Sequence, residues 1–160
     1  MPLPTPRQTN LIVFLGCLLL ILIALYMQHV MGLNPCYLCI TQRVFVMLTG
    51  GIALLAFFHN HHLRIYGALT ALSALGGSFF SGKQLWLQSL PEDQVPACGP
   101  PAEYLFDVFS FNEALGMLLR GDGNCAEVQW TFLNLSIPGW TIICFFGLAA
   151  LGIWQAVRRQ

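Results

Sequence analysis

The chain has 160 residues, of which 56% are hydrophobic and only 9% are Asp, Glu, Lys or Arg, whereas an ordinary soluble domain is roughly 25% charged and about 45–50% apolar. A typical soluble globule is excluded, and the abundance of large apolar side chains excludes a disordered or collagen-like chain. Seven basic residues balance seven acidic ones, so there is no diffuse positive field to hold nucleic acid, which is not an expected partner.

Along the chain the charges leave four gaps. No charged side chain occurs in the 35 residues between Arg7 and Arg43, the 20 between Arg43 and Arg64, the 18 between Arg64 and Lys83, or the 30 between Glu127 and Arg158. A helix crossing a bilayer needs about 20 apolar residues, with roughly 17 as a lower limit, and backbone polar groups in lipid must be satisfied within the segment. Four helices are therefore predicted, at about 11–31, 39–58, 65–82 and 137–157, the third being the shortest. No small-x-small cleavage site follows the first, which reads as a span rather than a removable leader. The expected fold is an all-α, four-transmembrane-helix bundle forming one integral membrane domain over residues 1–160.

Orientation follows from the bias of Lys and Arg toward the cytoplasm. Arg7, Arg64, Arg158 and Arg159 share one side with both termini, a charge of +4. Arg43, Lys83 and Arg120 lie opposite, together with all seven acids, Glu92, Asp93, Glu103, Asp107, Glu113, Asp122 and Glu127, a balance of −4. The termini are thus expected in the cytoplasm, with loops at about 32–38 and 83–136 facing outward.

Four of the six cysteines fall in those outward loops. Cys17 and Cys144 lie inside spans and read as small buried hydrophobes. Cys36 and Cys39 belong to the first outer loop, Cys98 and Cys125 to the second, and an oxidising side favours disulfides. Pairing within each loop is the simplest of three formal connectivities. Pro35 is read as ending its loop and Cys36 as opening the second helix, where free N–H groups and the helix dipole favour a thiolate. Cys98 and Cys125 enclose 26 residues in glycine- and proline-rich settings, and a bridge there could add about 3 kcal/mol in the chain-entropy model. A structural staple is the competing reading of that pair. For the Cys-x-x-Cys pair it is weaker, because the bridge would constrain little chain and the spacing is a recurrent redox geometry.

Arg43 lies on the outer side, in the first turn of a helix whose dipole it opposes, and at i+4 from Cys39. It reads either as an arginine snorkelling to headgroups or as a functional cation that binds a polar ring oxygen or stabilises developing negative charge, and beside a cysteine pair the second is favoured. Tyr104, Leu105, Val108, Phe109, Phe111, Leu115 and Leu118 alternate with polar residues in a segment expected either to lie on the membrane or to pack on the bundle. Trp86, Trp130, Trp140 and Trp154 fall near predicted span ends and read as an interfacial belt. His59, His61 and His62 have no acid or cysteine beside them in sequence, and no metal site is expected.

Gln28-His29-Val30-Met31, Pro35-Cys36-Tyr37-Leu38-Cys39-Ile40 with Gln42-Arg43, Trp86-Leu87-Gln88 with Leu90-Pro91, Pro96-Ala97-Cys98-Gly99-Pro100, and Gly123-Asn124-Cys125-Ala126-Glu127 with Gln129-Trp130, Phe132-Leu133, Leu135, Pro138 and Trp140 together resemble the DsbB family of bacterial disulfide bond formation proteins. Each fragment alone is weak; the ordered set, in the deduced topology, is specific. The resemblance implies a multi-pass bacterial inner-membrane thiol:quinone oxidoreductase, with both cysteine pairs periplasmic. It implies reoxidation of a periplasmic DsbA-like thiol oxidase, with the electrons passed to a membrane quinone, ubiquinone or menaquinone. It also implies that the Cys98–Cys125 disulfide is attacked by the partner thiolate, that Cys36 and Cys39 accept the electrons and face the quinone, and that Arg43 sits beside the quinone. Two positions depart from the family pattern: Ser89 stands where many members carry histidine, and Lys83 where arginine is frequent. Two other readings remain, a cysteine-rich membrane protein for metal binding or assembly and a structural bundle held by two disulfide staples.

Overall fold

A computed structural model describes residues 4–101 and 104–158. Glu103 and Arg159, which entered the charge count, lie outside the described residues, as does the side chain of Asp107.

Helix α1 (Pro6–His29) begins before the predicted position because Thr5 caps it. The Thr5 hydroxyl accepts from the Gln8 N–H while the Gln8 side chain accepts from the Thr5 N–H, and Pro6 occupies the first turn, where no donor is needed. Helix α2 (Tyr37–His59) is capped by Cys36 and closed by Asn60 in the left-handed conformation, a residue type that tolerates it. After a three-residue connection, Asn60 to His62, helix α3 (Leu63–Gln88) follows. It continues past the predicted end at about 82 because Lys83 does not break it: the Nζ of Lys83 reaches out to the Leu119 carbonyl at 3.0 Å. The outer segment then holds a short helix α4 (Leu105–Val108), an amphipathic helix α5 (Phe111–Arg120) and a two-stranded hairpin, β1 (Thr131–Phe132) with β2 (Leu135–Ser136), before helix α6 (Ile137–Val157).

The helices α1, α2, α3 and α6 form a bundle whose closest seam is between α3 and α6. A Cβ added to Gly152 would stand 2.7 Å from the Ala71 amide nitrogen, and one added to Gly67 would stand 2.7 Å from that of Ala156. Only glycine allows the two backbones to approach so far, as at small-residue seams in membrane helices. The helix α2 packs between α1 and α3, and α1 meets α6 far less closely than it meets α2. A cavity of about 380 Å³ opens along that loose side, toward the end of the bundle where α2 begins.

Among the described residues, three helices, α1, α2 and α6, are long and apolar enough to cross a membrane. The 26-residue α3 reaches about 39 Å at 1.5 Å per residue; what lowers its apolarity is a set of inward polar side chains, Thr70, Ser73, Ser78, Ser81 and Gln84, all buried. Ser78 and Ser81 donate to the carbonyls one turn back, and Ser73 meets the Thr49 hydroxyl at 2.9 Å, so burial leaves these hydroxyls satisfied.

Helix α5 opens with a capping box in which the Glu113 carboxylate accepts from the Ser110 hydroxyl and N–H. It packs on α2, where Thr41 donates to the Leu118 carbonyl at 2.9 Å, while Phe111, Leu115 and Leu119 stay exposed. Packing on the bundle is therefore the alternative observed, and the opposite face of α5 leaves apolar side chains exposed.

Candidate redox site

Three of the four cysteines expected to face outward come together at one end of the bundle. Cys36, at the N-cap of α2, accepts from the Cys39 N–H at 3.4 Å, and the Cys36 and Cys39 sulfurs lie 2.9 Å apart. A disulfide needs sulfurs about 2.05 Å apart, so a small side-chain rotation would close this pair. Cys125, fully buried, closes a 3-10 turn (Gly123–Cys125) and takes a long hydrogen bond, 3.5 Å, from the Leu38 N–H. That places it over the start of α2, beside Cys36 in the same buried cluster. Helix α2 thus presents Cys36 to a sulfur from its own first turn and to one from the distant loop.

The Cys36 thiol has its pKa pushed above the ordinary thiol value, first by the hydrogen bond to Cys125, then by that to Cys39, and by burial. Here the expectation of a thiolate-favouring helix terminus is overturned: the terminal N–H is present, but two neighbouring thiols and exclusion of water favour the neutral form.

Cys98 differs in being exposed. Its segment is held against the Cys125 segment chiefly by the buried Asp122. One carboxylate oxygen accepts from the Gly99 N–H at 2.9 Å and from Asn124 Nδ2 at 2.6 Å, and the other accepts from the Cys125 thiol at 3.4 Å. The Gly123 N–H donates to the Ala97 carbonyl at 3.3 Å, and the Tyr37 hydroxyl donates to the Pro100 carbonyl at 2.6 Å. A Cβ at Gly123 would stand 3.0 Å from Cys98 Sγ, so its absence lets that sulfur approach the turn bearing Cys125. When the protein is fully reduced, an alkylating reagent near neutral pH should modify Cys98 first and Cys36 last, as read by mass spectrometry. Raising the pH to about 9 should release Cys36 only after unfolding, because a free thiol ionises near pH ~8.5 whereas folded Cys36 ionises higher. Equal labelling rates for Cys36 and Cys98 in the folded protein would contradict this arrangement.

Arg43 lies one turn beyond Cys39 and is drawn to α1: it donates to the Gln28 side chain, and its second nitrogen donates to the Ala24 carbonyl at 3.1 Å. It lines the cavity together with Cys36 and Cys39, while Leu20, Ile21, Ala24 and Met27 supply an apolar wall. The hairpin closes the outer mouth, with Phe132 stacked on Trp130 at 6.0 Å and Trp140 donating to the Phe132 carbonyl at 3.1 Å. Trp130 and Trp140, read as interfacial anchors, are thus cavity residues. Gln28, Gln42 and Gln84 were not identified as site residues. Gln28 and Gln42 entered only as parts of the fragments that carry the family resemblance, and Gln84, next to Lys83, carried no signal of its own.

Such a site defines a membrane dithiol oxidoreductase: thiols in exchange distance of one another, one cysteine exposed at the surface, and an apolar cavity beside the Cys36–Cys39 pair. The profile of the family described as Disulfide bond formation protein DsbB matches residues 6–155, and the chain belongs to that family, whose members are disulfide-generating membrane oxidoreductases. It is similar to Disulfide bond formation protein B of Saccharophagus degradans, 54% identical over 160 residues, covering 98% of this chain and 96% of the relative. The protein of the same name from Stutzerimonas stutzeri is 46% identical over 163 residues, covering both chains fully. That of Marinobacter nauticus is 50% identical over 158 residues, covering 97% and 94%. Family membership disfavours the metal-binding and stapled-bundle readings.

Proposed function

We propose that this protein reoxidises a periplasmic DsbA-like dithiol oxidase and delivers the electrons to a membrane quinone through two cysteine pairs, Cys98 with Cys125 and Cys36 with Cys39. The observation that carries the proposal is the position of Cys36, in contact with both Cys39 and Cys125 at the edge of an apolar cavity.

The exposure of Cys98 supports it as the sulfur attacked by the partner thiolate, with Cys125 as leaving group. The Cys125 thiolate then attacks Cys36 in the Cys36–Cys39 disulfide, a Cys125–Cys36 bond forms, and the electron pair of the broken bond passes to the Cys39 sulfur. The partner's second thiolate attacks its own sulfur in the mixed disulfide, which leaves the partner oxidised and frees the Cys98 thiolate. Cys98 then attacks Cys125, displaces Cys36, restores the outer disulfide and leaves Cys36 and Cys39 reduced. Each exchange conserves the number of disulfides, so an external oxidant must remove two electrons per cycle.

The cavity residues fit a quinone. Leu20, Ile21, Ala24 and Met27 suit an apolar ring and tail, Arg43 supplies donors for a ring oxygen, and Cys36 and Cys39 share the same space. A quinone bound there supplies the two-electron, two-proton oxidant. The chain's part is to orient it with Arg43, exclude water with the Trp130–Phe132–Trp140 cluster, and hold the reduced pair beside it.

The same reading makes residues 1–160 one integral membrane domain of four spans, with α3 as the fourth because its polar side chains face inward. The termini are cytoplasmic and both cysteine pairs periplasmic, in keeping with the charge asymmetry. In intact cells, an impermeant thiol reagent should label a variant carrying Cys98 alone; labelling only after lysis would reverse the orientation. Purified protein mixed with a reduced DsbA-like partner and a quinone should consume one quinone per partner disulfide formed. A quinone that stays oxidised while the partner is oxidised would overturn the proposed electron acceptor.

A further inference from the structure

Beneath the cysteine pair lies a row of buried polar side chains that the exchange steps above do not use. Gln84, on α3 and 3% exposed, directs its Nε2 toward Cys36 Sγ at 3.3 Å and Cys39 Sγ at 3.4 Å. Its Oε1 accepts from Gln42 Nε2 at 2.7 Å, and Gln42 is 4% exposed. Gln42 Oε1 in turn accepts from the Thr141 hydroxyl on α6 at 2.9 Å, and that hydroxyl also lies 3.0 Å from the Pro138 carbonyl and 3.2 Å from Ser81 Oγ. Three helices therefore contribute to one chain of hydrogen bonds that ends at the two sulfurs.

Burial of two primary amides is costly unless their donors and acceptors are met, and here the meeting has a direction. With the single Thr141 proton given to Gln42 Oε1 at 2.9 Å rather than to the Pro138 carbonyl at 3.0 Å, the Gln42 N–H groups face Gln84, and Gln84 accepts through its oxygen and presents N–H to sulfur. Amide N–H groups preorganised in a dry site stabilise a charge that develops there. They also favour a thiolate far more than a neutral disulfide sulfur, since hydrogen bonds to ionised acceptors are roughly twice as strong.

We propose that Gln84 is a catalytic residue that receives the negative charge on Cys39 when Cys125 displaces it from Cys36, and that Gln42 and Thr141 are the positioning residues that aim it. The proposal rests on the relay assigned above. In that step the Cys125–Cys36 bond forms, the Cys36–Cys39 bond breaks, and the released electron pair stays on Cys39 Sγ, where the Gln84 N–H already points. Gln84 therefore lowers the energy of the reduced inner pair relative to its disulfide and leaves the outer pair, which it does not touch, unaltered.

The test is a redox titration of the full-length protein in detergent, equilibrated with glutathione buffers, acid-quenched and alkylated, with each cysteine quantified by mass spectrometry. Gln84→Met, close in shape but unable to donate, should shift the Cys36–Cys39 equilibrium about tenfold toward the disulfide, a potential lower by about 30 mV for a two-electron couple. Thr141→Val should shift it the same way by less, and the Cys98–Cys125 equilibrium should hold in both. A folded Gln84→Met protein whose inner pair titrates within twofold of the parent overturns the role of Gln84 while leaving the relay standing. A parent protein in which Cys36 and Cys39 never pair with each other overturns the relay itself, and the proposal with it. Should Gln84→Met fail to accumulate, Gln42→Met decides in the same buffers: it leaves Gln84 present without its orienting donor, so a shift toward the disulfide sustains the proposal and no shift overturns it.

Discussion

Cys36→Ser is expected to convert a catalyst into a reagent that acts once. The variant keeps Cys98 and Cys125, whose segments are joined through Asp122, Gly99 and Asn124 rather than through Cys36. It should therefore form the outer disulfide, oxidise one equivalent of reduced partner and then stop, because the Cys125 thiolate finds no disulfide to attack. Quinone consumption should fall to background. Cys125→Ser should fail earlier, oxidising no partner at all, while Cys36 and Cys39 remain a pair that a quinone can oxidise. The two variants are distinguished by counting partner disulfides formed per protein in a quenched time course, with quinone absorbance followed in parallel. Continued turnover by Cys36→Ser would mean that electrons leave Cys98 and Cys125 by another route.

Arg43→Ala is expected to show the second largest effect, concentrated in quinone binding. Arg43 is buried on one side by α1, donates to Gln28 and to the Ala24 carbonyl, and lines the cavity one turn from Cys39. Hydrogen bonds from a charged donor contribute about 1.5–3 kcal/mol, so losing one to a ring oxygen should raise the apparent KM for quinone by roughly 10- to 100-fold. Exchange between the partner and Cys98–Cys125 should continue, since Arg43 touches neither segment. Arg43→Lys should recover only part of the affinity, because an ammonium cannot serve the Gln28 and Ala24 oxygens and a quinone with the planar donor set of guanidinium. Steady-state rates over a range of quinone concentrations, with the reduced partner in excess, make the measurement. Unchanged kinetics in Arg43→Ala would reduce this residue to a tie between α1 and α2.

Features governed by composition and short spacing were legible in the sequence. Charge-free runs mark where a chain can be surrounded by lipid, and α1, α2 and α6 occupy three of them. The Cys36-x-x-Cys39 spacing at a helix start brings two sulfurs to one end of a helix by local geometry alone, and Arg43 follows Cys39 by one turn on the same face. What no local rule reaches is which distant atoms meet. Cys125 lies over Cys36 because the outer segment folds back onto the start of α2, and until that packing exists the cysteines permit three pairings. Gln42, Gln84 and Thr141 come from three helices, and each alone is an ordinary polar residue in an apolar stretch; they become one hydrogen-bonded chain only when α2, α3 and α6 close around them and exclude water. The cavity likewise has no sequence signature. It exists because glycine draws α3 against α6 while α1 and α6 stay apart, so its shape belongs to the packing of the bundle and not to any one helix.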